Sequence, residues 1–136
     1  TDRSRLDAWT ARSAEAFNAF GEGHGWRFSS FRKPSSGYAA PPLDGVWLNA
    51  PYLHNGSVPT LGDLLEPPAN RPTRFWRGYD VYDQGRVGFI SDGPEARRLG
   101  TLLDVTQPGN GNGGHTYGTT LSAGEKRALI EYLKTR

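Results

Sequence analysis

The sequence predicts a mainly α, loop-rich fold, and three observations carry that expectation. Glycine (18) and proline (10) together exceed a fifth of the 136 residues, a share that interrupts regular structure often. Two stretches show helical apolar spacing, and the later one opens on a capping signature. Hydrophobic residues make up 35% while aromatic residues reach 12%, so the core is thin and leans on rings. Such a core gains from an apolar cofactor or a partner surface. The chain length supports one modest domain, residues 1–136, without internal repeat or second domain.

The elements follow in order. Residues 6–20 read as a helix, with Leu6, Trp9, Ser13, Ala16, Phe17 and Phe20 near one face and Gly21 as the stop. Glycine and proline break the pattern from residue 21 to residue 49, where Trp26-Arg27-Phe28 and Val46-Trp47-Leu48 are at most short extended pieces. Thr60 caps a short helix, with Asp63 three residues on. That helix ends at Pro67-Pro68, because proline restricts the residue before it. Residues 69–108 form a long connection with a small hairpin around residues 81–90, and a connection this long is usually functional or packed on something else. In the final helix Ser122 is the cap, Glu125 completes the capping box, and Leu129, Ile130 and Leu133 form the apolar stripe.

Composition excludes several functions. The net charge is +2, with only mild clusters at Arg71, Arg74 and Arg77 and at Arg97 and Arg98, so the basic excess of a nucleic-acid binder is missing. The chain has no cysteine, which removes disulfides, thiolate metal sites and thiol catalysis. No apolar run approaches membrane-spanning length. A signal peptide is absent, as expected if Thr1 is not the natural start of the polypeptide.

His115 is the strongest candidate for chemistry. Residues 109–119 hold five glycines and two asparagines. Glycine allows close backbone approach to a large flat group, and neutral imidazole is a good iron ligand. The competing reading is a solvated histidine on a flexible surface loop; a phosphate cradle fits poorly, since no Lys-Ser/Thr follows the glycines. His54 sits before Asn55-Gly56, a turn signal. Its ring suits either a backbone carbonyl or a haem propionate. His24 lies in Gly-Glu-Gly-His-Gly and reads as exposed. These histidines lack zinc-ligand spacing, and no nucleophile-elbow sequence supports a Ser-His-Asp hydrolase. Paired carboxylates for glycoside chemistry leave no local signature. Calcium is a minor option at residues 109–113, which offer amide and carbonyl oxygens without an EF-hand's carboxylates.

Two segments, read together, resemble the distal half of large bacterial c-type cytochromes related to the di-haem cytochrome c peroxidases. In those proteins a Pro-Tyr-x-His-Asn/Asp-Gly-Ser segment followed by Thr-Leu lies against the C-terminal haem. Pro51, Tyr52, His54, Asn55, Gly56, Ser57, Thr60 and Leu61 match it. The peroxidases' ligand methionine has no counterpart, because the chain contains no methionine. The rubber-oxygenase-like subgroup is more similar. Its order is matched by Pro42, Leu43, Gly45, Trp47, Arg71, Pro72, Gly114, His115, Tyr117, Gly118 and Thr119. The resemblance spans residues 37–134.

What the resemblance implies is a cytochrome-c-like fold that forms a C-terminal part, without the haem-attachment segment. Covalent attachment needs Cys-x-x-Cys-His, so haem c would be held by an upstream segment or a separate chain. The implied metal ligand is His115, as sixth iron ligand, with His54, Trp47, Tyr52, Asn55 and Tyr117 near the cofactor. The implied function is haem-based electron transfer in the periplasm, with a redox partner protein. A bis-histidine iron has no open position for peroxide or oxygen, which favours relay over catalysis. Were the chain part of an enzyme, it would be a haem oxidoreductase of peroxidase or oxygenase type. The rival is a haem-free interaction domain on the same scaffold, using its aromatic and arginine side chains as a partner surface.

Overall fold

A computed structural model describes residues 2–26, 31–32 and 37–136. Two compact units form, one of Arg3–Ala40 and one of Thr1–Asp2 with Pro41–Arg136. In the first unit the single helix expected over residues 6–20 is two, α1 (Ser4–Ala8) and α2 (Ala11–Gly23). Trp9 leaves α1 in extended backbone. The Thr10 hydroxyl then accepts from the Ser13 N–H at 3.0 Å. A good N-cap satisfies a free donor and starts a new helix where the old one could have continued. α2 passes through Gly21, and residues 27 and 28 of the expected extended piece lie outside the described residues. Phe17 meets Trp9, Phe31 and Trp26 at ring-centroid distances of 6.0, 5.0 and 5.8 Å.

The second unit overturns the mainly α expectation. Its helices are short: α3 (Leu61–Leu64), α4 (Pro94–Leu99) and α5 (Ala123–Leu133). Two two-stranded antiparallel sheets lie among them. β1 (Arg74–Arg77) pairs with β4 (Thr101–Asp104) in the register Phe75 opposite Leu103. β2 (Tyr82–Asp83) pairs with β3 (Gly88–Phe89), inside the hairpin expected over residues 81–90. The β1–β4 pair was not foreseen because its partners are far apart in sequence. Only Phe75 and Leu103 of these strands are buried, so no strong alternation marks them. Val46–Leu48 is a 3-10 turn entered from Gly45 at φ 69°, where extended backbone was expected. The fold is loop-rich, as expected, but mixed in its regular structure.

The caps are where the residues put them. The Thr60 hydroxyl accepts from the Asp63 N–H at 2.9 Å. Ser122 and Glu125 complete a reciprocal capping box on α5. Tyr52, Val58, Leu61, Leu64, Leu65, Val87, Ile130 and Leu133 form the core of this unit. It is mostly aliphatic, while among the described residues the larger ring cluster sits in Arg3–Ala40. Emptying one of these buried leucines costs roughly 2–5 kcal/mol in comparable cores. Gly88 shows how tightly the core is closed: a Cβ there would stand 2.4 Å from the Pro59 carbonyl oxygen.

Candidate functional site

Residues 51–58 fold back on themselves. The Tyr52 N–H donates to the Val58 carbonyl at 2.7 Å, and the Val58 N–H returns to Tyr52 at 3.3 Å. Between them Leu53 and Gly56 take φ values of 66° and 64°. The closed turn carries His54 and Asn55, both half-buried. Tyr52 anchors its base. The ring is 5% exposed, and its hydroxyl donates to Val46 and Val87 carbonyls at 3.1 and 3.3 Å. Burial, reinforced by neighbouring Tyr82, pushes its pKa far up, so Tyr52 stays a neutral donor. Trp47 packs half-buried against the same core, and its carbonyl accepts from the Tyr82 hydroxyl.

The glycine-rich stretch lies against this turn. Asn55 Nδ2 donates to the carbonyls of Gly109 and Gly111 at 3.0 and 3.1 Å. Ser57 Oγ, on a fully buried residue, donates to Gly111 at 3.1 Å. Asn110 and Asn112 turn their amides toward the Asp104 and Pro72 carbonyls at 3.0 and 3.2 Å. Three of the loop oxygens that suggested calcium, the carbonyls of Gly109, Gly111 and Asn112, are engaged by protein donors. Among the described residues no group of three or more acidic or histidine side chains could hold a metal ion, and the calcium option lapses.

Arg71 completes the arrangement. It is 2% exposed, and its guanidinium donates to five backbone carbonyls. Nε meets Glu66 at 3.0 Å and Nη2 meets Leu64 at 3.1 Å. Nη1 meets Asn112 and Gly114 at 2.5 and 2.6 Å, and Nη2 meets His115 at 2.7 Å. A guanidinium has five N–H donors in a planar fork, and here all five are used. Sequence reasoning placed Arg71 in a basic cluster and missed this role. Its loop acceptors are backbone oxygens 41–44 residues away, which carry no sequence signature.

His115 follows directly. Its backbone φ is 56°, a left-handed value that histidine adopts several-fold more readily than most residues. The residue is exposed. Partial desolvation and the nearby Arg71 cation hold its pKa below the ordinary imidazole value. Both effects favour the neutral form of the ring, the form that binds iron. Tyr117, 79% exposed, stands edge-on to it at 5.4 Å between ring centroids. Gly118 lets this stretch approach the core, since a Cβ there would lie 2.9 Å from Leu65 and 3.8 Å from Leu129 of α5. The anchored loop presents an exposed imidazole beside an exposed ring. The structure thus unites Asn55, Ser57, Arg71, His115 and Tyr117 around one loop, while Tyr52 and Trp47 belong to the core behind it. His24 is exposed, as expected; its ring stacks on Phe20 at 3.9 Å, in the other unit.

Comparison with known proteins finds relatives for most of the chain and a family for part of it. An uncharacterized protein, y4iJ, of Sinorhizobium fredii (strain NBRC 101917 / NGR234) is 44% identical over 107 residues, covering 72% of this chain and 17% of that protein. A second uncharacterized protein of the same strain, y4iM, is 40% identical over 119 residues, covering 74% of this chain and 27% of that protein. The chain therefore spans well under a third of the curated relatives it matches. Residues 37–77 match the family described as RoxA-like, cytochrome c-like. That match takes in Trp47, Tyr52, His54, Asn55 and Arg71, and the loop bearing His115 is bonded to it through Asn55, Ser57 and Arg71. Residues 37–77 thus form a region related to the RoxA-like c-type cytochromes.

Proposed function

We propose that this chain forms the distal side of a c-type haem site in an electron-transfer protein of the periplasm, with His115 as the iron's sixth ligand. The cytochrome c-like family supports haem and electron transfer as the general role. The observation that carries the finer reading is the loop bearing an exposed His115, held to the turn of residues 51–58 and to Arg71. The haem would supply one-electron chemistry, and two imidazole ligands would leave its iron no open position for oxygen or peroxide. This chain's residues would do the rest. His115 offers a nitrogen lone pair. Tyr117 would supply ring surface and Trp47 would back the site from the core behind it, while His54 and Asn55 stand at the turn that would face the macrocycle. Tyr52 acts from beneath by holding that turn. The haem would be attached through a Cys-x-x-Cys-His on another segment or chain, and a redox partner would dock near the exposed Tyr117.

The test is His115→Gly in the haem-loaded holoprotein. The expected result is conversion of a low-spin spectrum to a high-spin one that added imidazole reverses. An unchanged low-spin spectrum would refute the assignment. A second reading, a haem-free interaction domain, draws on the exposed rings of Phe20 and Trp26, 50% and 46% accessible. Holoprotein without a haem absorption band would favour it.

A further inference from the structure

We propose that Arg71 is a positioning residue that orders the His115 loop before any ligand is bound, by acting as a five-way backbone clamp. For its effect on iron the inference rests on the reading of His115 as a ligand; for its effect on the loop it does not. The loop has little else to fix it. Residues 109–115 carry no apolar side chain, and glycine-rich backbone loses more conformational freedom on ordering than any other. Asn55 and Ser57 secure its first half, at Gly109 and Gly111. Its second half, Asn112, Gly114 and His115, is held by the guanidinium.

The other side of the clamp is rigid. Leu64 ends α3, and Glu66 follows two residues on. Carbonyls at a helix end have no partner within the helix, so Leu64 and Glu66 offer acceptors that the chain must satisfy. Arg71 satisfies both and uses its remaining donors on the loop. The contacts to the Gly114 and His115 carbonyls hold the peptide planes on both sides of His115, whose φ is left-handed. Buried cations usually pair with carboxylates. Among the described residues no carboxylate forms an ion pair with Arg71; Asp63 acts on it only through space, and all five donors go to backbone carbonyls. That arrangement demands the planar fork. Lysine keeps the charge but presents three donors from a single point and cannot span five acceptors.

Nuclear relaxation of the protein tests the clamp. In the unmutated chain the backbone order parameters of Gly111, Gly113, Gly114 and His115 should lie near ~0.85, as in regular structure. Arg71→Lys should lower them below about 0.6 while α5 keeps its own. Low order in the unmutated loop, or unchanged order in Arg71→Lys, overturns the proposal. Should Arg71→Lys fail to fold, the unmutated chain decides through a second signal. Separate, slowly exchanging Nη proton resonances from Arg71 support the clamp, and averaged ones overturn it. In the haem-loaded protein Arg71→Lys should give a mixed-spin spectrum that imidazole returns to low spin. If His115→Gly alters the spectrum and Arg71→Lys does not, the effect on the ligand is refuted. If neither alters it, the ligand reading fails and the loop measurements judge the clamp alone.

Discussion

Between Gly109 and His115 there is not one apolar side chain, yet every anchored point of that loop is named by a hydrogen bond. In the unit Arg3–Ala40 the reverse holds. Trp9, Phe17, Phe20, Trp26 and Phe31 meet largely edge to face, and much of their ring surface remains exposed. Ring contacts are weakly directional and add roughly 0.5–1.5 kcal/mol each beyond burial. Hydrogen bonds to buried carbonyls specify a position and are costly to lose. Packing of the first kind tolerates adjustment. The second kind holds one backbone conformation, which is what a loop offering a ligand requires.

Three substitutions would sharpen that contrast, taken from the largest expected effect down. Phe17→Ala removes the ring shared by Trp9, Trp26 and Phe31, and should destabilise its unit by roughly 2–3 kcal/mol, less than a fully buried phenylalanine because its ring is half-exposed. Thermal unfolding followed by tryptophan fluorescence would measure it. Amide shifts in residues 109–115 should stay where they are, and movement there would break the contrast.

Asn55→Ala deletes two hydrogen bonds to the loop and should cost about 2 kcal/mol, because it also leaves Gly109 and Gly111 carbonyls without that donor. Denaturant titration reads the cost. The order of residues 109–111 should fall while the Tyr52–Val58 bridge persists. A loop of undiminished order would mean that Arg71 and Ser57 suffice.

Ser122→Ala, the smallest change, should cost ~1 kcal/mol through loss of the α5 cap. The capping box also has a pH signature. Hydrogen bonds from Ser122 hold the Glu125 pKa below its ordinary value. The folded carboxylate then binds a proton less readily than the unfolded one. Stability from this pair is present above the ordinary glutamate range and is lost as pH falls through the lower, folded pKa. Helical amide signals of residues 123–126 should weaken on acidification in that window. Glu125→Gln should flatten that response, and persistence of the full response would assign it to another group.

The caps at Thr60 and Ser122 and the hairpin of β2 and β3 were legible in the residues, because each depends on partners three to seven positions away. The interruption at Thr10 is equally local but was not foreseen, because the continuous apolar face over residues 6–20 argued for one helix. The resemblance carried by residues 51–61 and 114–119 brought the right two segments together. It did not say what joins them, since Asn55, Ser57 and Arg71 bind backbone oxygens that any residue provides.

The sequence by itself therefore determined the short-range features of this protein: its loop-rich character, two helix caps, the tight turn at Asn55-Gly56, and His115 as the histidine set among glycines. Only the tertiary structure decided the mixed regular structure, through the β1–β4 pairing across residues 74–104, and the use of Arg71. The reason is physical. Caps and turns are closed by neighbours whose spacing is written in the chain, whereas strand pairing and a carbonyl clamp are closed by backbone groups that every residue shares, and the fold alone selects which of them meet.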